Sequence, residues 1–213
     1  MAKLYAFKQN NKYYLERRKE GFDLSKFTVV GTPTIREDGV ASGFSGSSYF
    51  QLKNIGSLLQ NATNWSIKFP IVFTEGTTST RQEIFGGTSS QNPFSLIIRL
   101  WQSGYILVPV NGVTNTNGFT LQSKQTAVAN TLYNLEVKVQ DNVIYFYIND
   151  ELQAQHNITE KVKFDDIVRL GNSLTTGSPF LGSIDLSQFS ITVDGEEVFT
   201  GAKEKFYAMQ GGI

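Results

Sequence analysis

Apolar and polar residues alternate over most of residues 131–140, where Tyr133, Leu135, Val137 and Val139 are each followed by a polar side chain. A β-strand places successive side chains on opposite faces, so a period of two predicts one buried face and one face exposed to water. The helical period of 3.6 residues is nearly missing from the rest of the chain. The segment therefore predicts a half-buried strand in a protein built mainly from β-sheet.

Two turn signals extend this strand into a meander. Asp141-Asn142 and Asn149-Asp150 consist of residue types that tolerate the positive φ of tight hairpin turns. Residues 143–148 between them are apolar on both faces, which predicts a strand that lies inside the sheet. Residues 131–155 therefore predict a three-stranded antiparallel meander.

The same kind of pattern runs through most of the chain. From residue 27 onward, short strand-like runs alternate with clusters of Gly, Asn, Asp, Ser and Thr about every 8 to 14 residues, a spacing typical of antiparallel sandwiches. Residues 54–61 are the exception, because their Ile and Leu residues have helical spacing and predict one or two helical turns. Asp194-Gly195 is the strongest hairpin signal in the chain.

The apolar parity slips near the C-terminus. Ile184 and Leu186 occupy even positions, whereas Phe189 and Ile191 occupy odd ones. A slip of one residue exchanges the two faces of a strand, so we expect a bulge or bend near Ser187-Gln188 that returns the apolar side chains to the core.

Composition narrows the classes of function. The 213 residues include no cysteine, one histidine, 19 basic and 19 acidic side chains. A chain this long buries about 70% of its unfolded surface, so one domain needs neither disulfides nor a structural metal. The lack of cysteine excludes thiolate metal clusters and cysteine nucleophiles. We expect no nucleic-acid partner because the net charge is zero, and no membrane span because no run approaches about 20 apolar residues.

The first 20 residues differ in charge from the remainder. They hold six Lys or Arg and two Glu, a net charge of +4, so the rest of the chain carries −4. Strand-like runs at residues 4–8 and 12–17 predict a hairpin or an added strand, and no secretory signal is visible. We divide the chain into this extension, residues 1–20, and a sandwich, residues 21–213.

Three interpretations of the extension stay open: an edge element, an arm that docks on a partner chain, and a nucleic-acid tail. Tyrosines and leucines interleave with the charges, which favours a packed strand over a tail. An unpaired edge at residues 3–17 would offer main-chain hydrogen bonds to a partner. The candidate partner-docking residues are Leu4, Tyr5, Phe7, Tyr13, Tyr14, Arg17 and Arg18.

Three stretches carry a family resemblance. Residues 38–52 place a small-residue strand before a Phe-x-Gly turn and an aromatic strand, and residues 132–152 end in Tyr-Ile-Asn-Asp-Glu-Leu. Val-Arg-Leu-Gly-Asn at 168–172 is followed by Pro-Phe-Leu-Gly-Ser-Ile-Asp at 179–185. In this order they resemble the laminin G-like branch of the concanavalin A-like lectin/glucanase sandwiches. The resemblance covers residues 34–193 and implies an all-β, two-sheet antiparallel jelly-roll sandwich, here with a short N-terminal strand or hairpin extension.

The segment at residues 182–201 suggests a location. It is similar to the ends of structural proteins of tailed bacteriophages, such as decoration, fibre or tail components. That resemblance implies a virion protein that forms a homo-oligomer, contacts other virion structural proteins and exposes a lectin-like knob. The alternative is an extracellular, free carbohydrate-binding module, with calcium as an optional ligand.

Catalytic patterns are missing from the sequence. Retaining glucanases need two carboxylates about 5 Å apart, usually on one strand. Asp165-Asp166 and Glu196-Glu197 are adjacent pairs that would point to opposite faces, so we expect no enzyme activity. We expect His156 to lie on the surface, and one histidine without cysteine argues against a zinc site. We predict no cofactor, although calcium, bound by scattered oxygens, is left open. Asp185 resembles a family residue that bonds to the backbone.

Aromatic and amide side chains are the candidates for sugar binding. Trp65 is in register with Ile67 and Phe69, which predicts a core position. Trp101 and Tyr105 flank the turn at residues 102–104 and could line a rim, or could simply cover the end of the sandwich. A polar loop follows at residues 111–118, a candidate for recognition or a plain solvated turn. The candidate ligand-binding residues are Trp101, Tyr105, Asn111, Asn115 and Asn117.

Overall fold

Twenty strands and one α-helix are present in the part of the chain that the structure, a computed structural model, describes. It describes residues 4–9, 12–75, 81–87, 96–110, 118–162, 164, 167–172 and 178–206, with the backbone alone at 4–20, 178 and 204–206 within those ranges. The strands are β1 Leu4–Gln9, β2 Lys12–Phe22, β3 Thr28–Val30, β4 Thr34–Ile35, β5 Val40–Ser42, β6 Tyr49–Lys53, β7 Trp65–Phe73, β8 Gln82–Gly87, β9 Ile98–Leu100, β10 Tyr105–Val110, β11 Phe119–Thr126, β12 Leu132–Gln140, β13 Val143–Ile148, β14 Glu151–Asn157, β15 Ile167–Leu170, β16 Ser178–Pro179, β17 Gly182–Asp185, β18 Ser190–Val193, β19 Glu196–Thr200 and β20 Ala202–Phe206. Helix α1 is Ile55–Asn61, at the predicted place, and short 3-10 turns span Leu24–Lys26 and Leu186–Gln188.

Two large sheets face each other. The first sheet has the order β11-β10-β9-β8-β15-β6-β3, and β16 adds to β8 in parallel. The second sheet has the order β14-β13-β12-β7-β17-β5-β4, with β18 between β7 and β19. All other pairings within them are antiparallel, which confirms the predicted two-sheet sandwich.

Aromatic side chains fill much of the space between the sheets. Phe69 on β7 is fully buried, and its ring lies 6.2 Å from Phe85 of the first sheet and 5.5 Å from Phe189. Phe27 meets Phe189 edge-on, with ring centroids 6.2 Å apart. Burying an aromatic or large aliphatic side chain contributes about 1.5–3 kcal/mol. Trp65 is 4% exposed, so the predicted core position of this ring is confirmed.

The predicted meander is present. Strands β12, β13 and β14 pair in sequence, and the turn residues Asp141 and Asn142 have φ values of 51° and 60°. Strand β13 lies inside the sheet, as predicted. One of its faces is buried, and Tyr145 and Tyr147 are half-exposed on the other. The phenol hydroxyl of tyrosine allows one edge of the ring to face water.

The predicted bend near residue 187 is a 3-10 turn rather than a bulge. Strands β17 and β18 on either side of it both pair with β7, and Ile184, Leu186 and Phe189 are all fully buried. Oδ1 of Asp185 accepts hydrogen bonds from the backbone N–H of Ser187 at 3.0 Å and from its hydroxyl at 2.6 Å. This confirms the backbone-bonding role expected for Asp185, because the carboxylate caps the turn that restores the parity.

A third, small sheet is formed by both terminal regions. Strands β1 and β2 form the predicted hairpin, and β20 pairs with β2 from Arg17 to Phe22. Strand β2 is the middle strand, but the described pairing with β20 begins at Arg17. The expectation of an unpaired edge over residues 3–17 is therefore contradicted at Arg17 and stays a prediction for residues 3–16. The ring of Phe22 lies 5.8 Å from Phe27 and joins this sheet to the sandwich core.

In the described residues, no helix is long and apolar enough to cross a membrane.

Candidate functional site

A groove of about 440 Å³ crosses the outer face of the second sheet, over β12, β7 and β18. We call it the sheet-face groove. Its side chains point outward because they alternate with core residues on each strand. Lys138, Ser66 and Thr192 lie side by side on the three strands, and the hydroxyls of Ser66 and Thr192 are 2.5 Å apart. The polar side chains of the groove include Asn64, Ser66, Glu136, Lys138, Thr192 and Asp194.

Two tyrosine rings lie on β13, the strand next to β12, opposite the groove residues Lys138 and Glu136. Tyr145 and Tyr147 project from β13 with their centroids 6.1 Å apart and their planes inclined by 29°. The ammonium group of Lys138, on the neighbouring strand, lies 5.4 Å from the first ring centroid and 5.1 Å from the second. Cation–π attraction of this kind contributes about 0.5–1 kcal/mol at an exposed site. The two rings therefore hold the ammonium group of Lys138 on the β13 side of the groove.

The other lysine on this face has a different environment. Nζ of Lys68 lies 3.0 Å from Oδ1 of Asp150 and 3.9 Å from Oε2 of Glu136. Within the part of the chain that the structure describes, no carboxylate forms a salt bridge with Lys138. The two lysines thus differ: Lys68 is paired with acids, and Lys138 is held by aromatic rings.

Backbone contacts fix one end of the groove. The N–H of Asn64 donates to Oδ1 of Asp194 at 3.0 Å, and the N–H of Asp194 donates to the carbonyl of Asn64 at 2.9 Å. Oδ1 of Asn64 also accepts from the N–H of Asp141 at 3.1 Å. The entry to β7 is thereby tied to two hairpin turns, which makes this end of the groove rigid.

These residues were not predicted from the sequence. Residues 143–148 were predicted to form an inner strand that is apolar on both faces, and neither this strand nor β12 was considered as a binding surface. One signal was available: tyrosines two residues apart on one strand, opposite Lys138 and Glu136 of the strand before it. The contribution of Ser66 and Thr192 had no local signal, because these residues come from strands 126 positions apart.

The structure places the predicted pair Trp101 and Tyr105 at one tight turn of the first sheet. The N–H of Trp101 donates to the carbonyl of Tyr105 at 2.9 Å, and both side chains are half-buried. The guanidinium of Arg99 lies 5.1 Å from the Trp101 ring centroid and 3.8 Å from the fully buried Glu83 carboxylate. Burial lowers the pKa of Arg99, and Glu83 opposes that shift. The contact with Arg99 makes Trp101 part of the local packing.

The remaining candidates are only partly described. Asn111, Asn115 and Asn117 lie outside the described residues, as do Asp165 and Asp166. The ligand-binding role of Trp101, Tyr105 and the three asparagines stays a prediction. The partner-docking candidates lie on β1 and β2, where only the backbone is described; they are Leu4, Tyr5, Phe7, Tyr13, Tyr14, Arg17 and Arg18.

A smaller pocket of about 200 Å³ lies at the rim near Tyr105. Lys124 and Glu151 form a 2.9 Å salt bridge on its border. Val128, which lines this pocket, is 59% exposed, and the hydroxyl of Tyr133 accepts from its N–H at 2.7 Å. This pocket lacks an exposed aromatic pair, which makes it a weaker site for a sugar ring than the sheet-face groove.

The lone histidine lies apart from the acidic residues that the structure describes. His156 is exposed, as predicted, and its ring stacks on Phe119 with centroids 3.9 Å apart. Among the described residues, no three His, Asp or Glu side chains come together as a metal site would require. Calcium binding elsewhere in the chain stays a prediction.

Comparisons with known proteins agree with this architecture. A family model described as the concanavalin A-like lectin/glucanases superfamily matches residues 44–199, most of the chain. No curated protein matches the sequence.

Solved structures of botulinum neurotoxins share the fold. The serotype D binding domain has a TM-score of 0.64 and 16% identity over 93% of this chain and 49% of its own. A second structure is of botulinum neurotoxin type C, whose cell entry is described as dependent upon interaction with two ganglioside molecules. It has a TM-score of 0.59 and 11% identity over 93% of this chain and 49% of its own. The DC binding domain in complex with rat synaptotagmin II has a TM-score of 0.62 and 12% identity over 93% and 49%. This chain spans about half the length of these relatives, and at such identities the likeness is one of fold.

Proposed function

This chain belongs to the concanavalin A-like lectin/glucanases superfamily, and from that membership we propose that it is a non-catalytic domain that binds glycans through the sheet-face groove. The observation that carries the proposal is the pair of half-exposed rings, Tyr145 and Tyr147, beside a groove lined by hydroxyl, amide and carboxylate groups. The ganglioside dependence described for the type C neurotoxin structure offers support from a protein of similar fold.

The chemistry of the groove suits a sugar. A pyranose presents apolar C–H faces together with hydroxyls, and sites for such ligands combine aromatic side chains with a few fixed polar groups. Here the tyrosines supply the aromatic surface, while Ser66 and Thr192 supply hydroxyls on neighbouring strands. Strands hold side chains more precisely than loops do, so little ordering is needed on binding.

The carboxylates of the groove favour binding over hydrolysis. Glu136 lies beside Lys68, and Asp194 accepts the backbone N–H of Asn64. Each acid therefore already has a structural partner. A retaining glycosidase instead needs two carboxylates about 5 Å apart with a raised pKa on the acid. We accordingly include the lack of catalysis in the proposal, and measurable turnover of a β-glucan would contradict it.

Glycan-array binding is the test of this function. We expect reproducible binding by the wild-type protein, and at least about tenfold weaker binding by the double variant Tyr145→Ala, Tyr147→Ala, since truncating central aromatic contacts costs over 1 kcal/mol each. Trp101→Ala and Tyr105→Ala are the matched controls at the rim and should change affinity less than about twofold. Loss of binding in these controls, with the double variant unaffected, would move the site to the rim. No binding by the wild-type protein would contradict the function.

A second candidate function is structural, as a virion component of a tailed bacteriophage. The observation that favours it is the position of β1, which among the described residues is an outer strand of its sheet and belongs to the segment 1–20 that carries a net charge of +4. An edge strand offers unpaired main-chain groups to a partner strand. The partners would be virion proteins or further copies of the chain in a homo-oligomer, and the sandwich would form an exposed glycan-binding knob. The alternative is a free binding module with an extracellular location.

Truncation tests the structural role. Removing residues 1–20 should abolish assembly and leave the sandwich folded, because its core lies between the two large sheets. Removing residues 1–11 deletes β1 and keeps the pairing of β2 with β20, so it tests the edge strand alone. Assembly can be measured by sedimentation and folding by circular dichroism. A protein without residues 1–20 that assembles normally would contradict the role.

A further inference from the structure

We propose that the sheet-face groove recognises a single carboxylate on an otherwise neutral glycan, through the ammonium group of Lys138. This inference rests on the proposed glycan-binding function and names the class of sugar that the groove takes. The acidic sugar can be a sialic acid or a uronic acid, because both present one carboxylate per residue.

Two aromatic rings hold Lys138 in position. Its Nζ lies between 5 and 6 Å from two ring centroids, at 5.4 Å from Tyr145 and 5.1 Å from Tyr147. A free lysine loses up to about 2 kcal/mol of side-chain entropy when a ligand fixes it. Here the rings already restrict the ammonium group, so binding an anion has a smaller entropic cost.

Lys138 also differs from Lys68 in its partners. Among the residues described, Lys138 has no carboxylate partner, although Lys68 on the same face contacts both Asp150 and Glu136. Aromatic rings hold a cation in place without pairing it with an anion. An acidic ligand at the groove would therefore meet an ammonium group that no described acid occupies.

Hydroxyl groups lie next to Lys138. Ser66 is the register partner of Lys138, and Thr192 is the register partner of Ser66. Adjacent strands are about 4.8 Å apart, so the row from Lys138 to Thr192 spans about 10 Å. A sugar whose carboxylate contacts Lys138 can therefore place its ring hydroxyls over the hydroxyl pair.

The surrounding acids limit the ligand to one negative charge. Glu136 and Asp194 line the same groove, and Asp150 lies next to it beside Lys68. Like charges a few ångströms apart repel, so a polysulfated or polyuronic chain would face three carboxylates for one unpaired ammonium group. The groove thus favours a monocarboxylated glycan over both neutral glycans and polyanions.

The test compares acids with their esters. We titrate the full chain at low salt with five ligands: sialyllactose, a glucuronic-acid disaccharide, the carboxyl methyl ester of each, and heparin. We expect at least one acid to bind about tenfold more tightly than its ester, as is typical for a charge-assisted hydrogen bond, and heparin to bind more weakly than that acid. Binding of sialyllactose would identify a sialic acid as the source of the carboxylate, and binding of the glucuronic-acid disaccharide would identify a uronic acid.

Two lysine variants complete the design. Lys138→Gln should lower the affinity for the acid to that of the ester and leave the ester unchanged, whereas Lys138→Arg should retain the preference. Lys68→Gln is the matched control on the same face and should leave the acid-to-ester ratio unchanged. Equal affinities for acid and ester, tightest binding of heparin, or a preference that survives Lys138→Gln would each overturn this inference while leaving glycan binding intact. Glycan binding itself would be contradicted if none of these glycans, and no glycan on the array, binds.

Discussion

Phe69→Ala is expected to lower the free energy of unfolding by about 3–5 kcal/mol, the range for removing a large aromatic side chain from a packed core. Phe69 is fully buried on β7, between Phe85 of the first sheet and Phe189 of the second. Its loss leaves a cavity where the two sheets meet, and neighbours held by strand pairing cannot collapse into it. Because domains are stable by only about 5–15 kcal/mol, the variant should lose a large share of its stability.

Urea unfolding followed by tryptophan fluorescence measures this effect. Val72→Ala is the matched control, since Val72 lies on the same strand but points outward and is half-exposed. It should cost less than about 1 kcal/mol. A loss below about 1.5 kcal/mol for Phe69→Ala, or an equal loss in both variants, would contradict the packing of the two sheets around this ring.

Gly171→Ala is expected to destabilise the protein by about 2–5 kcal/mol for two separate reasons. Its φ is +83°, a left-handed conformation that costs a residue with a side chain about 1–2 kcal/mol. A Cβ atom there would also overlap with Cδ1 of Phe44, whose ring is buried and stacks on Phe180. The ring has no room to move away, so overpacking adds about 1–3 kcal/mol.

Two other glycines separate the contributions. Gly195 has a φ of +88° with nothing within 4 Å of the methyl group that alanine would add, so Gly195→Ala should show only the backbone cost. Gly46 has neither a positive φ nor a close neighbour, and Gly46→Ala should be nearly neutral. Thermal unfolding of the three variants should rank them Gly171, Gly195, Gly46 in loss of stability. A cost for Gly171→Ala no larger than that for Gly195→Ala would contradict the contact with Phe44.

Much of the fold was predictable because its signals are local. The alternation over residues 131–140, the Asp and Asn pairs at the hairpin turns and the parity slip near residue 187 each depend on neighbours in the chain. The structure contains the meander, the positive φ values and the bend at those places. The hairpin of β1 and β2 and the core position of Trp65 were predicted for the same reason.

The candidate site was not predictable to the same degree. Lys138 and Thr192 were placed on strands, but no local pattern indicates that β12, β7 and β18 lie side by side. Strand β13 was predicted to lie inside the sheet, but a run of hydrophobic residues does not show which of its faces another layer will cover. Only the arrangement of the sheets exposes that face.

Local sequence therefore established where strands begin and turn, since backbone preference and side-chain period depend on residues close along the chain. Tertiary structure alone decided which strands became neighbours: the pairing of β2 with β20, and the groove assembled from residues more than 100 positions apart. The physical reason is that strand partners are chosen by the burial of apolar faces over the whole molecule, and that choice leaves no mark within any short segment.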